Sequence, residues 1–278
     1  MREEKNRPIG IFDSGLGGLT AVKEIGLRLP REEIVYFGDT GRVPYGTRSA
    51  QTVCRYALQD MRFLLKEADC KAVVVACGTV SANAMPLLRQ SFSVPVIGVI
   101  EPAVDAAVAA TKNGRIGVIA TPSSIASGAY EKTLHEKNSD LQVFCAACAL
   151  LVPLVENGFT DPEDPIPTLT VQRYLRPLIE ADIDTLILGC THYPLLRPII
   201  ARQLPGVTLI DTGVAAAGAL GELLSSEDLH RTDTDTCKGR MRFFVSDEPT
   251  GFAQAAARFL GTEDGAFPAV ERIRIEEY

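Results

Sequence analysis

Residues 186–196 read LILGCTHYPLL. The apolar run Thr185 to Leu188 stops abruptly at Gly189-Cys190, and Thr191, His192, Tyr193 and Pro194 follow. A short, wholly apolar run broken by glycine is the pattern of a strand buried on both faces, and the proline beyond the polar loop is placed to open a helix. In open α/β sheets ligands gather outside the carboxyl ends of the strands, where Cys190 would lie. A lone cysteine is ordinarily a small buried hydrophobe. Two features set this one apart: its neighbours Thr191 and His192 are polar, and it has a counterpart earlier in the chain.

The counterpart is AVVVACGTVSANAMPLL at residues 72–88, where an apolar strand again ends in a small residue and a cysteine, then Thr79, then Pro-Leu-Leu. The segments ahead of the two cysteines also echo each other, IGIFDS at 9–14 against IGVIAT at 116–121. The offsets are 107 residues from Ile9 to Ile116 and 113 from Cys77 to Cys190. Two features recurring in order at nearly one offset predict a duplicated α/β domain, with one thiol from each half facing a shared cleft.

On these segments the chain resembles the glutamate racemases of the cofactor-independent aspartate/glutamate racemase superfamily. The matching stretches are IGIFDSGLGGLTAV, YFGDTGRVPYGTRS, VVACGTVSAN, PVIGVIEPA, VPLVENG and LGCTHYPLL, which span Ile9 to Leu196. The HYPLL tail favours glutamate over aspartate. The resemblance implies interconversion of L- and D-glutamate without a cofactor, D-glutamate for peptidoglycan synthesis, a cytoplasmic location and a homodimer. Racemisation without a cofactor needs a base and an acid on opposite faces of Cα, and two thiols meet that need because a free thiol titrates near neutrality. Cys77 and Cys190 are therefore expected to alternate as base and acid, and the resemblance implies the same two positions. It also implies helpers: Asp13 and Glu156 on the Cys77 side, His192 on the Cys190 side. Substrate contacts carry over to Asp13, Ser14, Tyr45, Gly46, Gly78, Thr79, Thr191 and His192, with Thr121 as the internal counterpart of Ser14. Where this chain has Gly78 the family usually has Asn, so the resemblance implies that Asn would be tolerated there, with altered substrate affinity rather than lost folding. Ala149 stands where the family usually has Pro.

Composition bounds the alternatives. The chain has 278 residues, 46% of them hydrophobic, enough for a substantial core. The net charge of −7 and the lack of a basic stripe argue against nucleic acid. An anionic substrate would then be held by hydroxyls and backbone N–H groups rather than by a global field. The start carries Arg2, Glu3, Glu4, Lys5 and Arg7 with no apolar stretch behind them, unlike a signal peptide. The longest uncharged apolar stretch, 141–155, is too short to span a bilayer, so no membrane association is expected. Seven cysteines at 54, 70, 77, 145, 148, 190 and 237 make an odd count, which argues against a disulfide framework. Cys145 and Cys148 lack a second ligand pair for zinc, so no metal is expected. They lie in a strand-like run, VFCAACALLVP, and read as packing.

Alternating signals predict a parallel, doubly wound sheet in each half. Strands are expected over 8–12, 34–37, 72–76, 94–99, 114–120, 142–146, 185–188, 208–210, 241–245 and 272–275. Helices are expected over 19–29, 49–68 with Ser49 as cap, 101–111, 123–135, 168–181, 214–225 and 251–260. A Pro-rich loop over 161–167 and a polar surface loop over 226–238 separate some of them. The expected domains are 1–98 with 212–278, carrying Asp13 and Cys77, and 99–211, carrying Glu156 and Cys190. The return of the C-terminal part to the first domain is implied by the resemblance.

Three rivals are weighed against this. Gly15-Leu16-Gly17-Gly18-Leu19-Thr20 with Asp39 suggests a dinucleotide fold, but Thr20 occupies the place of the third glycine or alanine, and Asp13 would face a pyrophosphate. A racemase of another acidic amino acid, such as aspartate, would share the cysteines but not the HYPLL tail. A non-catalytic protein closing on a small acid would need the cleft but not the paired thiols.

Overall fold

The computed structural model describes residues 4–232, 240–261 and 268–278. In chain order its elements are β1 (Ile9–Asp13), α1 (Leu19–Arg28), β2 (Ile34–Gly38), α2 (Ala50–Ala68), β3 (Ala72–Val75), α3 (Gly78–Asn83), α4 (Met85–Ser91), β4 (Val96–Gly98), α5 (Ile100–Ala110), β5 (Arg115–Ala120), α6 (Pro122–Ala126), α7 (Ala129–Lys137), β6 (Gln142–Ala147), α8 (Leu151–Glu156), α9 (Pro165–Glu180), β7 (Thr185–Leu188), α10 (Arg197–Gln203), β8 (Thr208–Asp211), α11 (Thr212–Ser226), β9 (Met241–Val245), α12 (Phe252–Leu260) and β10 (Val270–Arg272). The strands form two parallel sheets, one in the order β10-β9-β2-β1-β3-β4, the other β6-β5-β7-β8. The fold is two parallel-sheet α/β domains.

The central strands β1, β3 and β7 are buried at every position, as apolar runs with helices on both faces must be. Because all strands in a sheet run the same way, Asp13, Cys77, Thr121 and Cys190 end up at or just beyond the carboxyl ends of β1, β3, β5 and β7. Ser49 caps α2, its hydroxyl accepting from Thr52 N–H at 3.3 Å. Among the described residues no helix is long and apolar enough to cross a membrane.

The structure departs from the sequence expectations at several places, among them α9, which begins at Pro165 inside the loop expected over 161–167, and α3 and α4, which were not expected. The strand-like run after Gln142 is a strand only to Ala147; α8 follows at Leu151. The helix expected over 123–135 is two helices, α6 and α7, broken at Ser127 and Gly128. Pro194 opens a 3-10 turn, Tyr193–Leu196, and α10 begins after it. The last strand ends at Arg272, and Ile275 is instead buried in a 3-10 turn, Ile275–Glu277. Much of the expected surface loop over 226–238 lies outside the described residues, as does Cys237.

At the opposite end of the first sheet from the cysteines, Lys71 is wholly buried. Its Nζ donates to Glu32 Oε2 at 2.6 Å and to the carbonyls of Lys5 and Leu229, each at 2.7 Å. Three segments distant in sequence thus meet on one ammonium. Removing one member of a buried ion pair leaves the other charge desolvated and alone. Lys71→Met is expected to lower unfolding free energy by about 3 kcal/mol in urea denaturation, and Lys71→Met with Glu32→Gln by clearly less.

Candidate active site

Between the two sheets lies a cavity of about 260 Å³. Cys77 enters it from the start of α3 and Cys190 from the loop after β7, both nearly buried, at 5% and 6% exposure. Ser14, Gly46, Gly78, Thr79, Thr121, Glu156, Thr191 and His192 line the same space. Sequence reasoning assigned no role to its apolar lining, formed by Val43 and Pro44 on one loop, Ala149 just before α8, and Val152 and Pro153 within it. The signal was present: Ala149, Val152, Pro153 and Glu156 recur at helical spacing, once the run is divided at Cys148.

The two sulfurs have different partners. The Cys77 thiol points to Ser14 Oγ at 3.7 Å. Asp13 lies beneath it, outside the cavity lining and almost fully buried, with Oδ1 accepting from Gly15 N–H at 3.0 Å. Burial raises the Asp13 carboxyl, opposed by the positive charge of His192 and two backbone N–H groups. Burial and then the nearby Asp13 push the Cys77 thiol up to about 12. On the other side, Cys190 Sγ stands 3.7 Å from His192 Nδ1, and His192 Nε2 stands 3.0 Å from Glu156 Oε1. Burial works to lower the His192 imidazolium, but its hydrogen bonds to Cys190 and Glu156 outweigh that and raise it to about 10. The two bonds thus favour the protonated form of His192. The Phe259 ring meets the imidazole edge-on, with centroids 5.4 Å apart.

Three expected positions come out differently, the first being Asp13, which was expected to touch substrate but lies outside the cavity lining. Glu156 stands with His192 on the Cys190 side rather than with Cys77, because α8 ends beside His192. Tyr45 does not line the cavity. Its ring is buried, its hydroxyl donates to Asp39 and lies 3.3 Å from Asp60 Oδ2, and its neighbours Pro44 and Gly46 face the cleft instead. Asp39 also accepts from Arg42 Nε at 2.6 Å and Ser246 Oγ at 2.7 Å, so it serves as an anchor for the 40–47 loop and is not free for a ribose. Cys145 is exposed on β6, whereas Cys148 is buried.

The halves approach closely at glycines. A Cβ on Gly17 would lie 2.1 Å from Thr191 Oγ1, and one on Gly78 would lie 2.5 Å from the Gly189 carbonyl oxygen. The second contact is with main chain, which cannot rotate away. The easy tolerance of Asn at 78 that the resemblance implied therefore does not fit this cleft. Gly78→Asn is expected to fold but to force the α3 and β7 ends apart, costing roughly 1–3 kcal/mol of stability and lowering kcat as well as raising KM, measured by thermal unfolding and steady-state kinetics.

The His192 shift fixes a pH dependence. A group that folding raises from 6.5 to about 10 adds stability that is fully present below pH 6.5 and is lost as pH rises through 10. Between pH 6.5 and 10, wild type should lose on the order of 2 kcal/mol more stability than His192→Asn, a figure discounted for the part-exposed Glu156 partner and measured by urea unfolding at both pH values.

Comparison with known proteins adds the following. The family model described as Asp/Glu/Hydantoin racemase matches residues 25–220. A protein named glutamate racemase from Geobacter metallireducens is 48% identical over 260 residues, covering 93% of this chain and 94% of that one. The crystal structure of a glutamate racemase isoform from Bacillus anthracis superposes with a TM-score of 0.90 at 41% identity, covering 97% of this chain and 98% of that one. That of a glutamate racemase from Francisella tularensis in complex with D-glutamate gives 0.90 at 39% identity, covering 99% and 100%.

Proposed function

The chain belongs to the glutamate racemases of the Asp/Glu/hydantoin racemase family, and from that premise we propose that Cys77 and Cys190 interconvert L- and D-glutamate by two-base proton transfer at Cα. The observation that carries this mechanism is the pair of buried cysteines, one from each half, opening into a single cavity. D-glutamate is a component of peptidoglycan, so the activity supplies cell-wall synthesis. The proposal includes a cytoplasmic location and a homodimer.

The electrostatics suggest a resting state. Cys77 is held as a thiol by burial and Asp13, while the imidazolium of His192 puts positive charge beside Cys190. The enantiomer whose α-hydrogen faces Cys190 loses it to that sulfur: the C–H bond breaks, an S–H bond forms, and the electron pair stays on Cα, conjugated with the carboxylate. The Cys77 S–H then delivers its proton to the opposite face. After turnover the protonation states are exchanged, and the site is ready for the other enantiomer. Asp13 and the Glu156–His192 pair can carry protons to and from the two sulfurs. Hydroxyls of Ser14, Thr79, Thr121 and Thr191, with backbone N–H groups at Gly46 and Gly78, can hold the substrate carboxylates. Thr79 and Thr121, one from each half, have their oxygens 3.0 Å apart. The apolar lining of Val43, Pro44 and Val152 suits the methylenes between the carboxylates.

Isotope labelling tests the mechanism. The delivered proton comes from a thiol already equilibrated with solvent. In D2O, L-glutamate should give D-glutamate carrying deuterium at Cα from the first turnovers, while remaining L-glutamate stays largely protiated. Cys77→Ala and Cys190→Ala should each abolish racemisation while remaining folded. Protium retained in early D-glutamate, or near-normal turnover in either variant, would refute two-thiol transfer.

A further inference from the structure

Three buried tyrosines have the thiols in their electrostatic surroundings: Tyr36 has Cys77, Tyr193 has Cys190, and Tyr130 has both. Two of them have committed their hydroxyls. Tyr36 donates to the Gly15 carbonyl at 2.7 Å, and Tyr193 donates to the Cys148 carbonyl at 2.9 Å. Tyr130, on the first turn of α7, has not. Its ring is 2% exposed in the core of the second domain, and among the described residues its hydroxyl is the one buried side-chain O–H without a hydrogen-bond partner. Folding has taken that group out of water and given it nothing in return, an arrangement proteins avoid unless the group has work to do.

Its position suggests the work. The Tyr130 oxygen lies 3.0 Å from where a Cβ on Gly189 would stand, beneath the residue that precedes Cys190. Building on the two-thiol mechanism, we propose that Tyr130 is a positioning residue whose free O–H turns toward the end of β7 and stabilises the thiolate form of Cys190. The other titratable groups around that sulfur are each placed for something else. His192, on the same loop, faces it from the side and is bonded to Glu156 of α8. Cys77, at the start of α3, lies across the cavity, and the Cys148 thiol is turned to the Ala146 carbonyl at 3.5 Å. A thiolate buried at the strand end gains from a second dipole beneath it, and a hydroxyl with no competing acceptor can reorient at little cost.

Tyr130→Phe separates this role from packing. Deleting an unbonded buried hydroxyl should leave the melting temperature unchanged or raise it. If the hydroxyl supports the thiolate, Cys190 alkylation by iodoacetamide at neutral pH, read peptide by peptide by mass spectrometry, should slow about tenfold. kcat/KM should fall about tenfold in both directions alike, because the equilibrium constant of a racemisation is 1. Placing 3,5-difluorotyrosine at 130 keeps the hydroxyl and makes it a stronger donor, so Cys190 alkylation should quicken. This second variant also decides the matter if Tyr130→Phe does not fold. Cys190 alkylation within twofold of wild type in both variants would overturn the role of Tyr130 and reduce its hydroxyl to a packing defect. Turnover in Cys190→Ala would overturn the two-thiol mechanism instead, and the alkylation rates distinguish the two failures because they need no turnover.

Discussion

The site depends on how near two main chains are allowed to come. At Gly78 and Gly189 the halves meet backbone to backbone, with no space for even one carbon between them. At Gly17 the turn after β1 lies tight against the Thr191 and His192 side chains. Any side chain at these points would hold the halves apart like a wedge, admit water and separate the thiols. Close contact keeps the cavity narrow, and burial sets the energetics of the groups around it. Burial is the leading cause of the upward shifts at Asp13 and Cys77, and the opposing force that the His192 hydrogen bonds overcome.

The duplication repeats the strands but not the charges. Ser14 and Thr121 occupy equivalent places after β1 and β5, yet Ser14 faces a thiol whereas Thr121 caps α6 by accepting from Ser124 N–H. Cys77 stands over a buried carboxyl, and Cys190 beside an imidazole tied to a carboxylate. A perfectly symmetric pair would have both thiols equally ready to act as base. The unequal settings favour the thiol form at Cys77 and place an imidazole beside Cys190, the kind of difference that the proposed base-and-acid pair calls for.

Much of this was legible in the sequence because the decisive signals are local. An apolar run that stops at Gly-Cys marks a strand end whatever surrounds it, and Thr185–Leu188 and Met241–Val245 fall where expected. Ser49 announces its helix by chemistry confined to one turn. What was not legible depends on partners distant in the chain. Whether Glu156 serves Cys77 or Cys190 is decided by the division of the 141–155 run into strand and helix, and both pieces are equally apolar. The direction of the Tyr45 ring is decided by Asp39 and Asp60, acids that composition alone would leave on the surface. The space available at Gly78 is decided by a carbonyl more than a hundred positions away. Periodicity reports which face is buried, not what it is buried against.

The strand order also has a consequence for the nascent chain. β5 to β8 follow one another in sequence, so their sheet can close as soon as that stretch leaves the ribosome. The other sheet cannot. β9 must come back to pair with β2, Val245 beside Gly38, and β10 must then add to β9. The helix between these two late strands carries Phe259, whose ring rests against His192. A helix made after both sheets' central strands thus completes the surroundings of an imidazole made well before it. A polypeptide released early would hold both cysteines and still lack the finished site.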